Sequence, residues 1–237
     1  MQRNILKKGE IAATLLIGVV ASGVAINYGA KEIVGPNVGK FIKEWVIHPA
    51  EVGACAPCSK YVAKQMVRFL ETKQERPLRV LEVGAGTGTF TREIACYLKG
   101  KNFEFDVIEI NNSFCISLKK EFVKDPHITV YQADIIQWKP TKKYDVIISA
   151  LPFNVFDIAS VKQILTLYKD WLVSGGRISY IELAGITKIG KLFMADKARV
   201  LFDEKYRLIS EFKKAHLDET VTIFRNVPPV HVHHLKF

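Results

Sequence analysis

The amino-acid sequence predicts an α/β protein with a doubly wound, seven-stranded sheet, made of five parallel strands and an antiparallel edge hairpin, with an N-terminal helical extension. Three observations predict this fold. Short apolar runs alternate with amphipathic stretches beyond residue 77, a glycine-rich turn follows the first run, and two late runs have no helix between them. Hydrophobic residues make up 49% of the 237 residues, so the chain can bury a sizeable core.

The parallel strands are predicted from five short apolar runs, and the helices from the amphipathic segments between them. The strands are expected at 79–83, 104–110, 128–132, 144–149 and 177–182, and the helices at 89–98, 112–124 and 159–172. The edge hairpin is assigned to the runs at 207–212 and 220–224, because no helical pattern separates them.

Two segments precede the predicted domain, which covers residues 77–237. Residues 1–37 contain an uncharged apolar stretch at 11–30, and twenty helical residues would span roughly 30 Å, about one bilayer core. Membrane attachment is favoured over a soluble packing helix. A cleaved signal peptide, a spanning helix and a helix lying in the inner leaflet all remain open. Residues 38–76 repeat apolar side chains at helical spacing and are interpreted as a helical pre-domain segment.

The net charge of +10 and the pI near 9.4 indicate an anionic partner, either nucleic acid or the cytoplasmic leaflet of a membrane. Basic residues come in pairs and not in long runs, so no dedicated nucleic-acid arm is expected. Cys55 and Cys58 form a CxxC pair without a second close pair of ligands, so reduced thiols and no metal are expected. The His-Val-His-His run at 231–234 is interpreted as a solvated strand end or tail.

The glycine loop at 82–88 reads Glu-Val-Gly-Ala-Gly-Thr-Gly and lies between the first strand and the first helix of the domain. Ligands of doubly wound sheets bind where strand ends meet helix N-termini, and glycines let the backbone turn sharply and approach the ligand. The spacing is GxGxG, tighter than the GxGxxG of dinucleotide-binding loops. Glu82 would repel a pyrophosphate but suits a cationic sulfonium.

Two further carboxylates are expected at the same edge of the sheet. Glu109 ends the second strand and can hold both hydroxyls of a ribose, and Asp134 ends the third strand and can accept from an adenine amino group. Together with the loop at 82–88, these acids predict that the cofactor is S-adenosylmethionine.

The motifs LEVGAGTGTFT, DVIEIN, QAD and ISALPFN resemble the ordered motifs of class I methyltransferases, within residues 78–155. The resemblance implies a Rossmann-like methyltransferase fold for 77–237. It also implies that Gly84, Ala85 and Gly86 cradle the methionine portion, Glu109 the ribose, and Asp134 with Ile135 the adenine. The expected cofactor contacts are Glu82, Gly84, Ala85, Gly86, Gly88, Glu109, Ile110, Asp134, Ile135, Ser149 and Ser59.

The acceptor loop, Ala150-Leu151-Pro152-Phe153, follows the fourth strand and is expected beside the departing methyl group. It resembles the acceptor motif of rRNA adenine dimethyltransferases, in which Asn precedes Leu-Pro-aromatic and holds the exocyclic amine. Ala150 stands at that position here and has no hydrogen-bonding side chain, which speaks against adenine as the acceptor.

The longer likeness, from about 41 to 231, is to bacterial phosphatidylethanolamine N-methyltransferases. It rests on Phe-Ile-Lys-Glu-Trp at 41–45, Ala-Pro-Cys-Ser at 56–59, the small-Leu-Pro acceptor loop, and Arg-Asn-Val-Pro-Pro at 225–229. Cys58 is usually Ser in that family. The resemblance implies methyl transfer to the amine of a phospholipid head group, with an anionic membrane as partner and the domain on the cytoplasmic side.

The lipid amine must arrive neutral, and its methylated forms are cations that aromatic faces can hold. Phe153, Tyr28, Tyr61 and Tyr180 are the aromatic candidates for this contact, and Arg225 is the candidate for the lipid phosphate. No histidine falls at the carboxyl end of a predicted strand, so no general base is assigned. Two alternatives stay open: an RNA adenine methyltransferase, with nucleic acid less favoured as partner, and a membrane-tethered cofactor-binding protein without turnover.

Overall fold

The structure is a computed structural model, and it describes residues 58–70, 76–153, 156–184, 196–226 and 229–237, without the side chains of 196–199. The helices are α1 (Lys60–Met66), α2 (Thr89–Leu98), α3 (Asn112–Glu121), α4 (Ile158–Trp171) and α5 (Asp196–His216). The strands are β1 (Leu78–Val83), β2 (Phe103–Glu109), β3 (Ile128–Gln132), β4 (Tyr144–Ser149), β5 (Leu172–Leu183), β6 (Leu217–Ile223) and β7 (Val230–Lys236).

The seven strands form one sheet in the order β3-β2-β1-β4-β5-β7-β6. Strands β1 to β5 are parallel to their neighbours, and β7 lies antiparallel between β5 and β6. This arrangement confirms the predicted fold class. The order reverses between β1 and β4, so their carboxyl ends open the crevice in which doubly wound sheets bind ligands.

The edge hairpin contains β6, close to the predicted run at 220–224, but its partner is β7 and not the run at 207–212. That earlier run is part of α5, so its assignment to a strand was wrong. The reason is helical spacing: Phe202, Ile209 and Phe212 are all buried, and spacings of seven and three residues place them on one face of a helix.

The histidine run at 231–234 is not a solvated tail, because β7 pairs on both sides. His233 is 3% exposed and His234 is 1% exposed. Their Nδ1 atoms lie 2.8 Å from the hydroxyl oxygens of Thr220 and Ser179, respectively. Burial lowers the pKa of both imidazoles, that of His234 to about 4.

Two hydrophobic layers cover the faces of the sheet. Helices α1, α2 and α3 pack on one face, with Met66, Ile94 and Leu118 fully buried. Helices α4 and α5 pack on the other face. The connections from β1 to β2, from β2 to β3 and from β4 to β5 each contain a helix. Because strands β1 to β5 all run parallel, every strand in the parallel part ends at the same edge. We call this side the carboxyl edge.

Several sequence-based expectations lie outside the described residues. They concern residues 1–57, including the apolar stretch at 11–30 and Tyr28, together with Asn154. Within the part of the chain that is described, no helix has the length and apolar character needed to cross a membrane. The boundaries at 37 and 76 stay predictions, and α1 lies within the predicted helical segment.

Candidate functional site

A cavity of about 330 Å³ opens at the carboxyl edge, beside the ends of β1, β2 and β4. Ten of the residues predicted to contact cofactor or acceptor line it: Gly84, Ala85, Gly86, Glu109, Ile110, Asp134, Ile135, Ala150, Leu151 and Pro152. Eight other described candidates do not line it: Glu82, Gly88, Ser59, Ser149, Phe153, Tyr61, Tyr180 and Arg225. The cavity therefore brings together the glycine loop, the two strand-end acids and the acceptor loop.

The glycine loop owes its path to backbone conformations that favour glycine. Gly84, Gly86 and Gly88 have φ angles of 77°, 55° and 85°. A Cβ atom at Gly84 would lie 3.1 Å from the side chain of Leu151, whereas one at Gly86 would meet nothing within 4 Å. Gly84 therefore lets the acceptor loop pack closely, and Gly86 borders open space in the cavity.

Glu109 fixes the shape of the loop from the neighbouring strand. Its Oε2 accepts a hydrogen bond from the Gly86 amide at 2.6 Å, and its Oε1 accepts one from the Asn111 amide at 2.8 Å. The carboxylate is 4% exposed but lines the cavity. Each carboxylate oxygen can accept more than one hydrogen bond, so Glu109 can still receive ribose hydroxyls while it holds the loop.

Asp134 stands at the end of β3, on the far side of the cavity from the acceptor loop. Its Oδ1 accepts from the Ile136 amide at 2.9 Å, and this turn orients the carboxylate. Ile135 is 7% exposed and contributes an apolar wall. An acceptor beside an apolar wall suits a flat base with an exocyclic amine.

Glu82, expected from its place before the glycines to contact the cofactor, does not line the cavity. It is fully buried at the end of β1, and neither carboxyl oxygen has a hydrogen-bond partner among the described residues. The Thr91 hydroxyl lies alongside without hydrogen-bond geometry. Burial raises the pKa of Glu82 to about 8, so the side chain is largely protonated at neutral pH.

The remaining cofactor candidates, Gly88, Ser149 and Ser59, do not line the cavity but contact the elements around it. Gly88, with its left-handed backbone, begins α2. The Ser149 hydroxyl accepts a hydrogen bond from the Tyr168 phenol at 2.7 Å, and both groups are buried. The Ser59 amide donates to Asn226 Oδ1 at 2.8 Å, which ties the start of α1 to the β6–β7 turn.

The acceptor side of the cavity has apolar walls. Beyond Ala150, Leu151 and Pro152, the wall contains Phe156, Ile164 and Ile181, with Ser160 and Cys58 as the polar residues among those described. Burial raises the pKa of Cys58 to about 12, so it stays a neutral thiol. Among the described residues, this wall contains no carboxylate.

The described aromatic candidates, Phe153, Tyr61 and Tyr180, do not line the cavity. Phe153 is buried and packs edge-on against Tyr180, with ring centroids 6.1 Å apart. Burial raises the pKa of Tyr180 above its ordinary value. Tyr61 contacts two cations at the surface: the Arg225 guanidinium is 5.1 Å from its ring centroid and the Lys60 ammonium 5.5 Å. Arg225 does not line the cavity.

Sequence reasoning missed several residues of the wall: Cys58, Thr87, Thr89, Phe90, Phe114, Ile136, Phe156, Ser160, Ile164 and Ile181. A usable signal existed for Phe156 and Ser160. Asp157 caps α4 by accepting from the Ser160 amide at 2.7 Å, and a helix that follows the acceptor loop must begin at the carboxyl edge. No local pattern marks Cys58 or Ile181 as cavity residues.

The cavity fits S-adenosylmethionine. Gly86 leaves space for a ligand against the backbone, Glu109 offers a carboxylate for ribose hydroxyls, and Asp134 with Ile135 offers an acceptor beside an apolar wall. Within the described ranges, no group of three metal-ligating side chains occurs.

Comparisons with known proteins agree with this geometry. A family model described as ribosomal RNA adenine dimethylase matches residues 58–173. An ornithine lipid N-methyltransferase from Singulisphaera acidiphila is 26% identical over 200 residues, which cover 81% of this chain and 90% of that protein. Two malonyl-(acyl-carrier protein) O-methyltransferases from Ilyobacter polytropus are 28% and 26% identical, but the match spans only 37% and 62% of their length.

A solved structure shows the same fold. The N-methyltransferase NodS from Bradyrhizobium japonicum WM9, in complex with S-adenosyl-L-homocysteine, superposes with a TM-score of 0.56 at 15% identity. The superposition covers 85% of this chain and 98% of that chain.

Proposed function

We propose that this chain, an S-adenosylmethionine-dependent methyltransferase by fold and cofactor site, methylates the amine of a membrane phospholipid head group, with phosphatidylethanolamine as acceptor. Products would range from the monomethylated lipid to phosphatidylcholine. The proposal places the domain at the cytoplasmic face of a membrane, with attachment through residues 1–37.

The observation that carries the proposal is the apolar acceptor wall. Ala150 lines the cavity where rRNA adenine dimethyltransferases have a hydrogen-bonding Asn, and Phe156, Ile164 and Ile181 complete the wall. A flat nucleobase amine needs polar partners in its own plane, because a buried amine left unpaired costs about 1–3 kcal/mol. An aliphatic amine that arrives on a flexible head group has no such in-plane requirement.

The wall also explains how the amine can lose its proton without a general base. S-adenosylmethionine, when bound, supplies an electrophilic methyl group, which the amine lone pair takes as the carbon–sulfur bond breaks and S-adenosylhomocysteine leaves. Apolar walls disfavour an ammonium ion, so entry into the cavity favours the neutral amine and releases the proton to water at the mouth. The Cys58 thiol is too weak an acid and too weak a base to take part.

Later methylations would start from amines that already carry one or two methyl groups, and the third leaves a quaternary cation. Phe156 is an aromatic residue of the acceptor wall, and the face of its ring can hold such a cation. This proposal gives Phe156 the role that the sequence suggested for Phe153, Tyr28, Tyr61 and Tyr180.

Two comparisons bear on the acceptor, in opposite directions. The relative from Singulisphaera acidiphila, which matches over most of both chains, acts on ornithine lipid, another membrane lipid with an aliphatic amine. The family model that matches residues 58–173 describes an RNA-modifying enzyme and favours rRNA adenine as a second candidate.

The test supplies radiolabelled S-adenosylmethionine to the full chain with three acceptors: phosphatidylethanolamine vesicles, ornithine-lipid vesicles and rRNA. We expect label in phosphatidylethanolamine. Glu109→Ala should lose the label in every arm, which excludes a contaminating enzyme, and Glu211→Ala on the exposed face of α5 should keep it. Label in rRNA with none in either lipid would overturn the proposal, and label in ornithine lipid alone would correct the head group.

A further inference from the structure

We propose that the carboxyl edge docks on an anionic phospholipid bilayer through a tip formed by Lys60, Tyr61, Phe224 and Arg225. This inference rests on the proposed lipid acceptor and adds to it the surface that meets the membrane. It concerns described residues alone and is separate from any attachment through residues 1–37.

The tip is at the edge of the sheet where the cavity opens. Ile223 of β6 and Leu183 of β5 both pair with Val230, the first residue of β7. The turn between β6 and β7 therefore stands level with the carboxyl ends of the parallel strands, and the Ala184 amide donates to the Pro229 carbonyl at 2.9 Å to hold it there.

A short chain of contacts joins the tip to the cavity wall. Asn226, next to Arg225, is 6% exposed and accepts from the Ser59 amide at 2.8 Å. Ser59 follows Cys58, which lines the cavity. A membrane that binds the tip would thus lie only a few residues away from the acceptor wall.

The composition of the tip matches a membrane interface. Phe224 is 78% exposed, the largest exposure of any large hydrophobic side chain in the described part of the chain. Tyr61 lies against both Arg225 and Lys60, and no ion pair with a described acid neutralises either cation. An exposed aromatic ring beside two cations suits a surface of anionic head groups over hydrocarbon.

A second apolar spot flanks the cavity from the other face of the sheet. Val200 and Leu201, near the start of α5, are 66% and 50% exposed. One turn further along, Lys205 donates from Nζ to the Phe156 carbonyl at 2.9 Å, and Phe156 lines the cavity. Exposed apolar side chains therefore stand on both sides of the mouth.

This pattern favours a bilayer over RNA. Aromatic rings and cations also bind single-stranded RNA, through stacking and phosphate contacts. The aliphatic side chains of Val200 and Leu201 offer no flat face on which a base can stack. The hydrocarbon region of a bilayer can accommodate both the aromatic side chains of the tip and the aliphatic side chains of Val200 and Leu201.

The test places an indole at the tip and asks whether it enters the bilayer. Phe224→Trp and a matched control, Val123→Trp, are made in the full chain, since Val123 is 75% exposed and follows α3 at the opposite edge of the sheet. The parent chain supplies the baseline for its own three tryptophans. Vesicles contain phosphatidylethanolamine, phosphatidylglycerol and lipids brominated in the acyl chains, which quench only indoles that reach them.

We expect the fluorescence added by Phe224→Trp to be quenched at least twofold and that added by Val123→Trp to be unchanged. Phe224→Ala should lower the rate of lipid methylation about tenfold at limiting vesicle concentration, the effect of losing one buried aromatic anchor, with cofactor affinity unchanged. Equal quenching at both sites, or none at Phe224→Trp, would overturn the docking surface.

Docking and the proposed acceptor can fail separately. If lipid is methylated while the indole at position 224 is unquenched, the acceptor stands and the docking surface is wrong. If that indole is quenched while label enters only rRNA, the docking surface stands and the acceptor is wrong. If rRNA and not vesicles changes its emission, the tip binds nucleic acid and the inference is overturned.

Discussion

Glu82 makes the stability of this protein fall as pH rises, because its buried carboxyl group favours the protonated form. Its carboxyl group is fully buried at the end of β1, without a hydrogen-bond partner among the described residues. Burial raises its pKa from an ordinary 4.5 to about 8 in the folded chain, with the nearby Thr91 and Arg92 opposing the rise and Glu109 adding to it.

The direction of this pH dependence follows from the number of protons bound to Glu82 in the folded and unfolded states. Between about pH 4.5 and 8 the folded protein holds a proton on Glu82 that the unfolded chain has released. The free energy of unfolding therefore falls as pH rises through this window, by about 1.4 kcal/mol per pH unit. Over the whole window the loss is at most about 5 kcal/mol, a large part of the 5–15 kcal/mol that typically stabilises a domain.

Replacing the acid with its amide isolates this effect. Glu82→Gln keeps the shape and cannot ionise, so its stability should match that of the parent near pH 5 and exceed it by several kcal/mol near pH 8. Urea unfolding at half-unit steps between these values measures the difference, and Glu211→Gln on the exposed face of α5 serves as the matched control. Parallel curves for Glu82→Gln and the parent would show that Glu82 is ionised or partnered in the folded state.

Three further changes test the site and its support. Gly84→Ala should weaken S-adenosylmethionine binding in calorimetry and cost about 1–2 kcal/mol in stability, because a φ of 77° is unfavourable for alanine; normal binding would contradict the loop geometry. Glu109→Gln should weaken the same binding about 10- to 100-fold. The carboxylate accepts hydrogen bonds from the Gly86 and Asn111 amides through its two oxygens, whereas the glutamine side chain has only one oxygen that can accept. Unchanged affinity would remove Glu109 from the site. Asp145→Ala should lower the free energy of unfolding by about 2–3 kcal/mol, because the buried Asp145 accepts two hydrogen bonds from Arg76, at 2.8 and 2.6 Å. Asp145 is the second residue of β4, away from the carboxyl edge, so cofactor affinity should be unchanged, and a weakened affinity would contradict this placement.

The sequence predicted the parallel half of the fold because local and global preferences agree there. Strands β3 and β4 and helix α2 have the bounds that the apolar runs indicated. Each run is short and bounded by turn residues, and each amphipathic stretch keeps one apolar face, so the two periods are easily told apart. The glycine loop, Glu109 and Asp134 come together for the same reason, since parallel strands deliver their ends to one edge.

The antiparallel half was harder to predict, because the apolar residues of its segments fit both the helical and the strand periodicity. Residues 207–212 contain enough apolar side chains to read as a strand, and only the burial of Phe202, seven residues before Ile209, shows the helical face. The histidines of β7 read as a polar tail, yet Ser179 and Thr220 supply hydroxyl partners from the two flanking strands. These hydroxyl partners are brought close by the pairing of strands in the folded sheet, which local sequence propensity does not predict.

The two walls of the cavity differ in how far the sequence could identify them. The cofactor wall is built from contiguous motifs, because S-adenosylmethionine contacts the loop and strand ends that the fold itself supplies. The acceptor wall joins Cys58, which precedes α1, Phe156, which lies between β4 and α4, and Ile181, which lies in β5, and no local spacing relates them. The choice between lipid and nucleobase therefore depends on side chains that a motif search passes over. Substitutions at Phe156 or Ile181 should accordingly change acceptor preference while leaving cofactor affinity intact.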